Sequence, residues 1–441
     1  MEYTKIKTVK IGDWMKHSVT MKLVSISILI LLLLIPSSMI KSIINERESI
    51  SRRTITEVSG KWSNAQTIAA PVLTVPLVFE ELLDDNIVEY EENLNILAEK
   101  LNIKGNIHPK RLKRGIYEVI VYKSLITISG HLYPPENIKL KNLKYIDWDR
   151  AFLTIGISDL RGVNEQVAVK WGDTTLHARS GSKIPKTIPA GLTVKIKGTD
   201  IPEHPIDFSF SLDLDGSRNL SFIPLGNTTE VGLESSWKAP SFNGGFLPDD
   251  RKVSNEGFQA SWRVLALNRN FPQQWIGEAY QSKDLMKAAF GLDLILPVDD
   301  YAKSYRSAKY AIMTLVLTFL VFFMVEVFNK YRIHPFQYAL VGLALCLFYI
   351  MLVAFSEHIG FDISYLLSSV IVISVILGYS IAIFRNRKST AILAFTLIGT
   401  YGFVFVTLQL ADYALLLGSV GLITILAVIM YLTRKINWYN V

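Results

Sequence analysis

One cysteine, Cys346, stands in 441 residues, so no disulfide within the chain can hold any part of it together. The seven histidines are dispersed, with no His-Glu-x-x-His pair and no second thiol, so a metal-binding signature is missing too. Gly-x-Ser-x-Gly, Gly-x-x-x-x-Gly-Lys-Ser/Thr and Gly-x-Gly-x-x-Gly do not occur, which removes the usual marks of serine hydrolases, phosphate-loop enzymes and dinucleotide enzymes. Gly181, Ser182 and Lys183 have the end of a phosphate loop without its leading glycine. No catalytic residue, metal or cofactor is therefore expected. Charge is scarce as well. Charged residues make up 19% of the chain against 50% hydrophobic, and the mean hydropathy is +0.29, too apolar for an ordinary soluble protein of this length.

The apolar residues are concentrated in six nearly uncharged stretches: Leu23 to Ile40, Tyr310 to Val327, Tyr338 to Phe355, Ile363 to Phe384, Ala391 to Leu410 and Tyr413 to Leu432. A helix needs about 20 residues to cross a hydrocarbon core of roughly 30 Å, so each stretch is long enough to span a bilayer. The formal charge of +7 has a telling location. The segment from Lys41 to Lys309 is close to neutral, with 34 basic and 33 acidic residues. The other 12 basic residues lie before the first stretch and after the second, fourth and sixth, while Ser356 to Asp362 and Ala411 to Asp412 carry none. That is a positive-inside pattern. It places both termini in the cytoplasm and the long segment outside, and it explains the basic pI without a nucleic-acid partner. The first stretch is longer than a signal-peptide core and lacks an Ala-x-Ala site after it, so a retained signal anchor is expected.

Residues 1–22 thus read as a cytoplasmic N-terminus, 23–40 as the first span, 41–309 as an extracytoplasmic domain and 310–441 as a five-helix bundle with a cytoplasmic C-terminus. From Ser42 to Ile55, apolar Ile43, Ile44, Ile50 and Ile55 extend the first span as a helical stalk. From Pro71 onward, runs rich in Val, Ile, Thr, Phe and Tyr predict strands, the clearest being Val72 to Phe79, Tyr117 to Leu132, Phe152 to Ile157, Ile206 to Leu214, Phe258 to Leu267 and Phe290 to Leu296. Within Ile206 to Leu214 apolar and polar residues alternate, the mark of an antiparallel strand with one wet face. No long amphipathic helix separates the strands, so the fold class expected is membrane α, with six transmembrane helices, plus a large extracytoplasmic all-β sandwich-like domain.

The informative polar residues lie at the ends of the spans. Glu326 is the only acidic residue inside them, with Lys330 four residues on as a helical-spacing partner and Arg332 and His334 following. Glu357 and His358 end the third span, and Asp362 and Asp412 share their side of the membrane. These four could dock the outer domain, hold a cation or stand in water. Gln409 reads as a helix contact. The candidate functional polar residues are Glu326, His334, Glu357, His358 and Asp412.

Several runs resemble one family. They are Arg-Ile-His-Pro-Phe-Gln-Tyr (332–338), Leu-Val-Gly-Leu-Ala-Leu (340–345), Ser-Glu-His-Ile-Gly-Phe (356–361), Asp-Tyr-Ala-Leu-Leu-Leu-Gly-Ser (412–419), Tyr-Leu-Thr-Arg-Lys-Ile-Asn-Trp-Tyr (431–439) and Gly-Phe-Gln-Ala-Ser-Trp (257–262). Together they are similar to the CreD family of bacterial inner-membrane proteins, also called cell envelope integrity proteins. Asn437 departs from it, standing where the family more often has an acidic residue. The resemblance implies a multi-pass inner-membrane protein tied to a two-component system, envelope integrity and stress tolerance, and it implies no reaction, ligand or catalytic residue. The function expected is a non-enzymatic envelope protein whose outer domain contacts an unidentified envelope protein, with the lipid bilayer as its other partner. The alternatives are a transport or channel component and a membrane-embedded enzyme acting on lipid or envelope polymer.

Overall fold

The computed structural model describes residues 19–83, 86–133, 140–198, 205–295, 300–329, 333–410 and 413–434. Asp412, Lys330 and Arg332 lie outside the described residues, as does the end of the 431–439 run. The chain divides into two compact units, one comprising Met1–Ser51 and Val298–Val441, the other Arg52–Pro297.

The first unit is helical. Helix α1 (Val19–Trp62) runs 44 residues without a break and carries Pro36 inside it, so the expected stalk continues the first span as one helix. Besides the last turns of α1 and short 3-10 turns, the described residues of the β unit contain one short α-helix, α2 (Ser282–Met286). After it come α3 (Asp300–Lys309), α4 (Ala311–Asn329), α5 (Pro335–Ile359), α6 (Phe361–Phe384), α7 (Arg387–Gln409) and α8 (Ala414–Thr433). Among the described residues five helices, α1 and α4 to α7, are long and apolar enough to cross a membrane, and α8 is a further apolar helix. The segment before the second span is not a plain linker. Residues 300–309 form α3, whose small residues Ser304, Ser307 and Ala308 are buried. Leu315, Phe319, Phe322, Tyr338, Leu345 and Leu397 share the helical core with Leu33, Ile40 and Ile44 of α1.

The β unit is built on strands β1 (Gln66–Leu83), β2 (Asn86–Arg114), β3 (Tyr117–Leu132), β4 (Leu143–Ile146), β5 (Phe152–Ile157), β6 (Ala168–Trp171), β7 (Thr174–His177), β8 (Arg179–Ser180), β9 (Gly191–Lys195), β10 (Ile206–Ser217), β11 (Asn219–Phe222), β12 (Gly226–Ser235), β13 (Pro240–Gly244), β14 (Asp250–Ser254), β15 (Gly257–Leu265), β16 (Gln274–Ile276) and β17 (Phe290–Leu294). Each run named above contains a strand, though the strand in Phe258 to Leu267 stops at Leu265, where a 3-10 turn (Ala266–Asn268) begins, and that in Phe290 to Leu296 stops at Leu294, with Leu296 outside the described residues. Beside its antiparallel pairs the sheet is mixed: β1 pairs with β11 and β2 with β12 in parallel. The longest strand, β2, is one that the composition hides. Its apolar residues are interrupted by charge, and its ends, Asn86–Glu92 and Lys110–Arg114, are largely exposed, while Leu94–Ala98 and Leu101, Ile103 and Ile107 are buried. One half of β2 pairs with β1 and the other with β3, so a single strand serves two parts of the sheet around one core. Alternation along β10 matches the expectation, with Ile206, Phe208, Phe210, Leu212 and Leu214 buried.

Where the α1 helix ends, polar residues do the joining. The buried side-chain amide of Gln66 donates to Ser63 Oγ and to the carbonyls of Asp159 and Asp215, and its oxygen accepts from the Asp159 N–H. Asp159 accepts from the Asn64 N–H (3.0 Å) and from the Arg161 guanidinium, which also donates to the Gly60 carbonyl. The Arg161 guanidinium, aided by these backbone donors, holds the Asp159 carboxyl down at about 2.

Candidate polar centres of the helical unit

Glu326 lies on the last turns of α4 and is 3% exposed, in a setting where an unpartnered carboxylate is costly. The structure supplies three partners from three places. Lys22 Nζ of α1 is 2.6 Å from Oε1, the Ile333 N–H donates to Oε1 at 3.1 Å, and the Tyr338 hydroxyl of α5 donates to Oε2 at 3.1 Å. The partner foreseen from i, i+4 spacing, Lys330, lies outside the described residues. Lys22, 304 residues away in sequence, gives the ion pair observed. Spacing finds neighbours on one helix, and this pair forms between helices. Tyr338 is held in turn by Phe319 and Phe322, whose rings meet it at 5.4 and 5.7 Å. One turn further along from Tyr338, Gly342 of α5 lets α1 approach. A Cβ there would lie 2.2 Å from Leu33 Cδ1 and 2.9 Å from Phe319 Cζ.

His334 has a structural task. It is the N-cap of α5: its ring Nδ1 accepts from the Phe336 N–H (3.2 Å), Gln337 Oε1 accepts from the His334 N–H (3.0 Å), and Pro335 occupies the first helical position. The His-Pro-Phe-Gln run is thus a helix start written in sequence, with the donors that open the helix satisfied reciprocally.

At the other end of α5, Glu357 gathers with Asp362 of α6 and Gln409 of α7 around α3. Tyr301 donates to Glu357 (2.9 Å), and Lys303 reaches Gln409 Oε1 (3.1 Å) and Asp362 (3.7 Å). Gln409 Nε2 donates to Asp362 Oδ1 at 2.6 Å, and Lys303 also sits 5.4 Å from the Phe361 ring centre. Gln409 is therefore the helix contact expected. His358 is exposed, and its ring has no hydrogen-bond partner among the described residues.

Sequence reasoning passed over a third centre. Tyr349 of α5, Tyr365 of α6 and Tyr401 of α7 are buried around Phe348, whose ring lies 4.8, 5.3 and 4.6 Å from theirs. Tyr365 donates to the Tyr401 carbonyl (2.8 Å), while the Tyr401 hydroxyl and Ser368 Oγ have no partner among the described residues. Tyrosine counts as apolar in a hydropathy scan, so the signal was averaged away. Several hydroxyls of the apolar helices bond the carbonyl four residues back, as Thr318, Ser369, Ser380 and Thr407 do. No group of three or more His, Cys, Asp or Glu side chains placed to hold a metal occurs among the described residues.

These polar centres lie on a chain whose helices are long and apolar, and comparison with known proteins gives that membrane architecture a family. The sequence model described as "Inner membrane protein CreD" matches residues 18–439. Escherichia coli (strain K12) Inner membrane protein CreD is 31% identical over 433 residues, which cover 96% of this chain and 95% of that protein. The match contains the helix cap at His334, the carboxylate at Glu326 and the whole β unit, and on it the chain belongs to the CreD family of multi-pass inner-membrane proteins.

Proposed function

We propose that this chain is a non-enzymatic envelope protein in which six spans hold the β unit outside the inner membrane, with both termini cytoplasmic. In this reading the β unit is the working part, a sandwich-like domain that contacts another envelope component and contributes to envelope integrity and stress tolerance. The observation that carries it is the state of Glu326. The buried carboxylate is engaged by Lys22, Ile333 N–H and Tyr338 at once, which suits a latch between α1, α4 and α5 rather than a group that takes up and releases a cargo or a proton. The orientation rests on the alternation of basic and non-basic loops.

Survival under envelope stress tests the reading, in a strain lacking the native protein and at matched membrane levels. Glu326→Gln keeps most activity if the bundle is an anchor. Its complete inactivity at normal abundance would reject the anchor and favour transport. Glu357→Gln with His358→Ala weakens activity in this reading, because Tyr301 of α3, the last element before the spans, exchanges a hydrogen bond to a charged acceptor for a weaker neutral one.

A further inference from the structure

The β unit carries a groove on the face of the sheet turned away from its core. Five neighbouring strands, β3, β2, β12, β15 and β14, form its floor, a width of about 19 Å at the usual strand spacing. The register sets two rows across it. Thr127, Lys104, Gly232, Ser261 and Asp250 make one, and Leu125, Asn106, Glu234, Gln259 and Lys252 the other. The hollow over these residues has a volume of about 780 Å³.

Its chemistry is polar and unevenly charged. One row further along this face the charge is matched, since Glu230 lies between Lys100 (3.6 Å) and Arg263 (3.9 Å). Lys104, Arg251 and Lys252 at the groove have no carboxylate within ion-pair distance among the described residues, and of the two acids present Glu234 already accepts from Asn106 (3.0 Å). Asn106, Gln259, Thr127 and Ser261 offer amide and hydroxyl groups that can both donate and accept. Leu125, 55% exposed, supplies an apolar patch beside them. At the centre Gly232 leaves the floor bare, since a Cβ there would meet nothing within 4 Å.

We infer that this groove binds an extended glycan carrying carboxylates. Sugar hydroxyls match the amides and hydroxyls of the two rows, a ring's C–H face matches Leu125, and the surplus of cations matches the carboxylates. An open floor spanning five strands accommodates a chain rather than a single small molecule. The inference rests on the reading of the β unit as the working part and names the chemistry of its partner.

The test uses the full-length protein purified in detergent, titrated with oligogalacturonate, with a neutral dextran oligosaccharide and polyglutamate for comparison. Oligogalacturonate binds, more weakly as salt rises, and the neutral and peptide polymers bind at least tenfold more weakly. Lys104→Ala with Lys252→Ala weakens binding about tenfold or more, in line with the loss of charge-assisted hydrogen bonds. Gly232→Trp fills the hollow and abolishes binding at an unchanged melting temperature, and Lys141→Ala, outside the groove, leaves affinity unchanged. Failure of oligogalacturonate to bind, equal binding of polyglutamate, or indifference to both groove variants overturns the inference. Binding in detergent does not depend on which side of the membrane the β unit faces, so a wrong orientation and an empty groove give separate results.

Discussion

At the scale of single residues, buried polar groups decide what the spans can do. Glu326→Gln keeps one acceptor, its oxygen for the Ile333 N–H, reverses the Tyr338 contact so that its NH2 donates to the hydroxyl, and loses the charge opposite Lys22, which is 37% exposed and can turn to water. The expected cost is about 2 kcal/mol, the size of a hydrogen bond to a charged group. Glu326→Leu leaves the amide and the hydroxyl unpartnered and costs several kcal/mol more, as a lower temperature of irreversible unfolding in detergent will show. Asp159 in the β unit makes a pH prediction. Its folded carboxyl titrates near 2, held there by Arg161, below the roughly 3.9 of an unfolded aspartate. Its contribution is therefore complete above about pH 4 and is lost as pH falls from about 4 toward 2. Thermal unfolding of the wild type and Asp159→Asn should converge over that window and differ at neutral pH; a constant difference across the range would refute the assignment. Arg269 is a further buried charge. It donates to the Pro224 carbonyl and Gln273 and lies over Phe271, with burial pushing its guanidinium down to about 10.

At the scale of elements, the packing of α1 and α3 within the helical unit can be tested directly. Leu33 of α1 lies over Gly342, so Gly342→Val forces the two helices apart. Overpacking of this kind costs about 1–3 kcal/mol, and it should lower the yield of folded protein without altering the β unit. A conservative Leu33→Ala in the same background should restore part of the yield, because it removes the atom the new side chain meets. The buried Ser304 and Ser307 of α3 are the small residues that bring this helix against the bundle. Ser307→Leu should displace α3 and reproduce the activity loss of the Glu357 and His358 double variant, whereas exposed Lys283→Ala should not.

At the scale of the whole molecule, orientation is the decisive measurement. In a Cys346→Ala background, a cysteine at the exposed position His358 should react with a membrane-impermeant thiol reagent in cells with a permeable outer membrane, and one at exposed Lys388 should not. Ser389 would serve badly here, because it is 4% exposed and bonded to Asn329, and would stay unlabelled on either side. Labelling of Lys388→Cys alone would invert the topology. The β unit, with its own core, should fold alone from about Ser59 to Pro297 and unfold cooperatively with a β-rich circular dichroism spectrum. Loss of cooperativity would mean that it depends on the spans.

Local chemistry determined much of this protein from sequence. Hydropathy marked the apolar helices, alternation marked β10, and the His-Pro-Phe-Gln run encodes the start of α5, because each of these is set by residues within a turn or two of one another. The helix starts and strand runs were legible for the same reason: backbone donors and apolar faces are satisfied close by. What only the tertiary structure decided was partnership across distance. Lys22 finding Glu326, Tyr301 finding Glu357, the parallel pairings of β2 and β1, and the tyrosines around Phe348 all join residues far apart in the chain. A charge-rich strand such as β2 is stable only because neighbours on both sides bury its centre, and no window of sequence along the strand contains those neighbours.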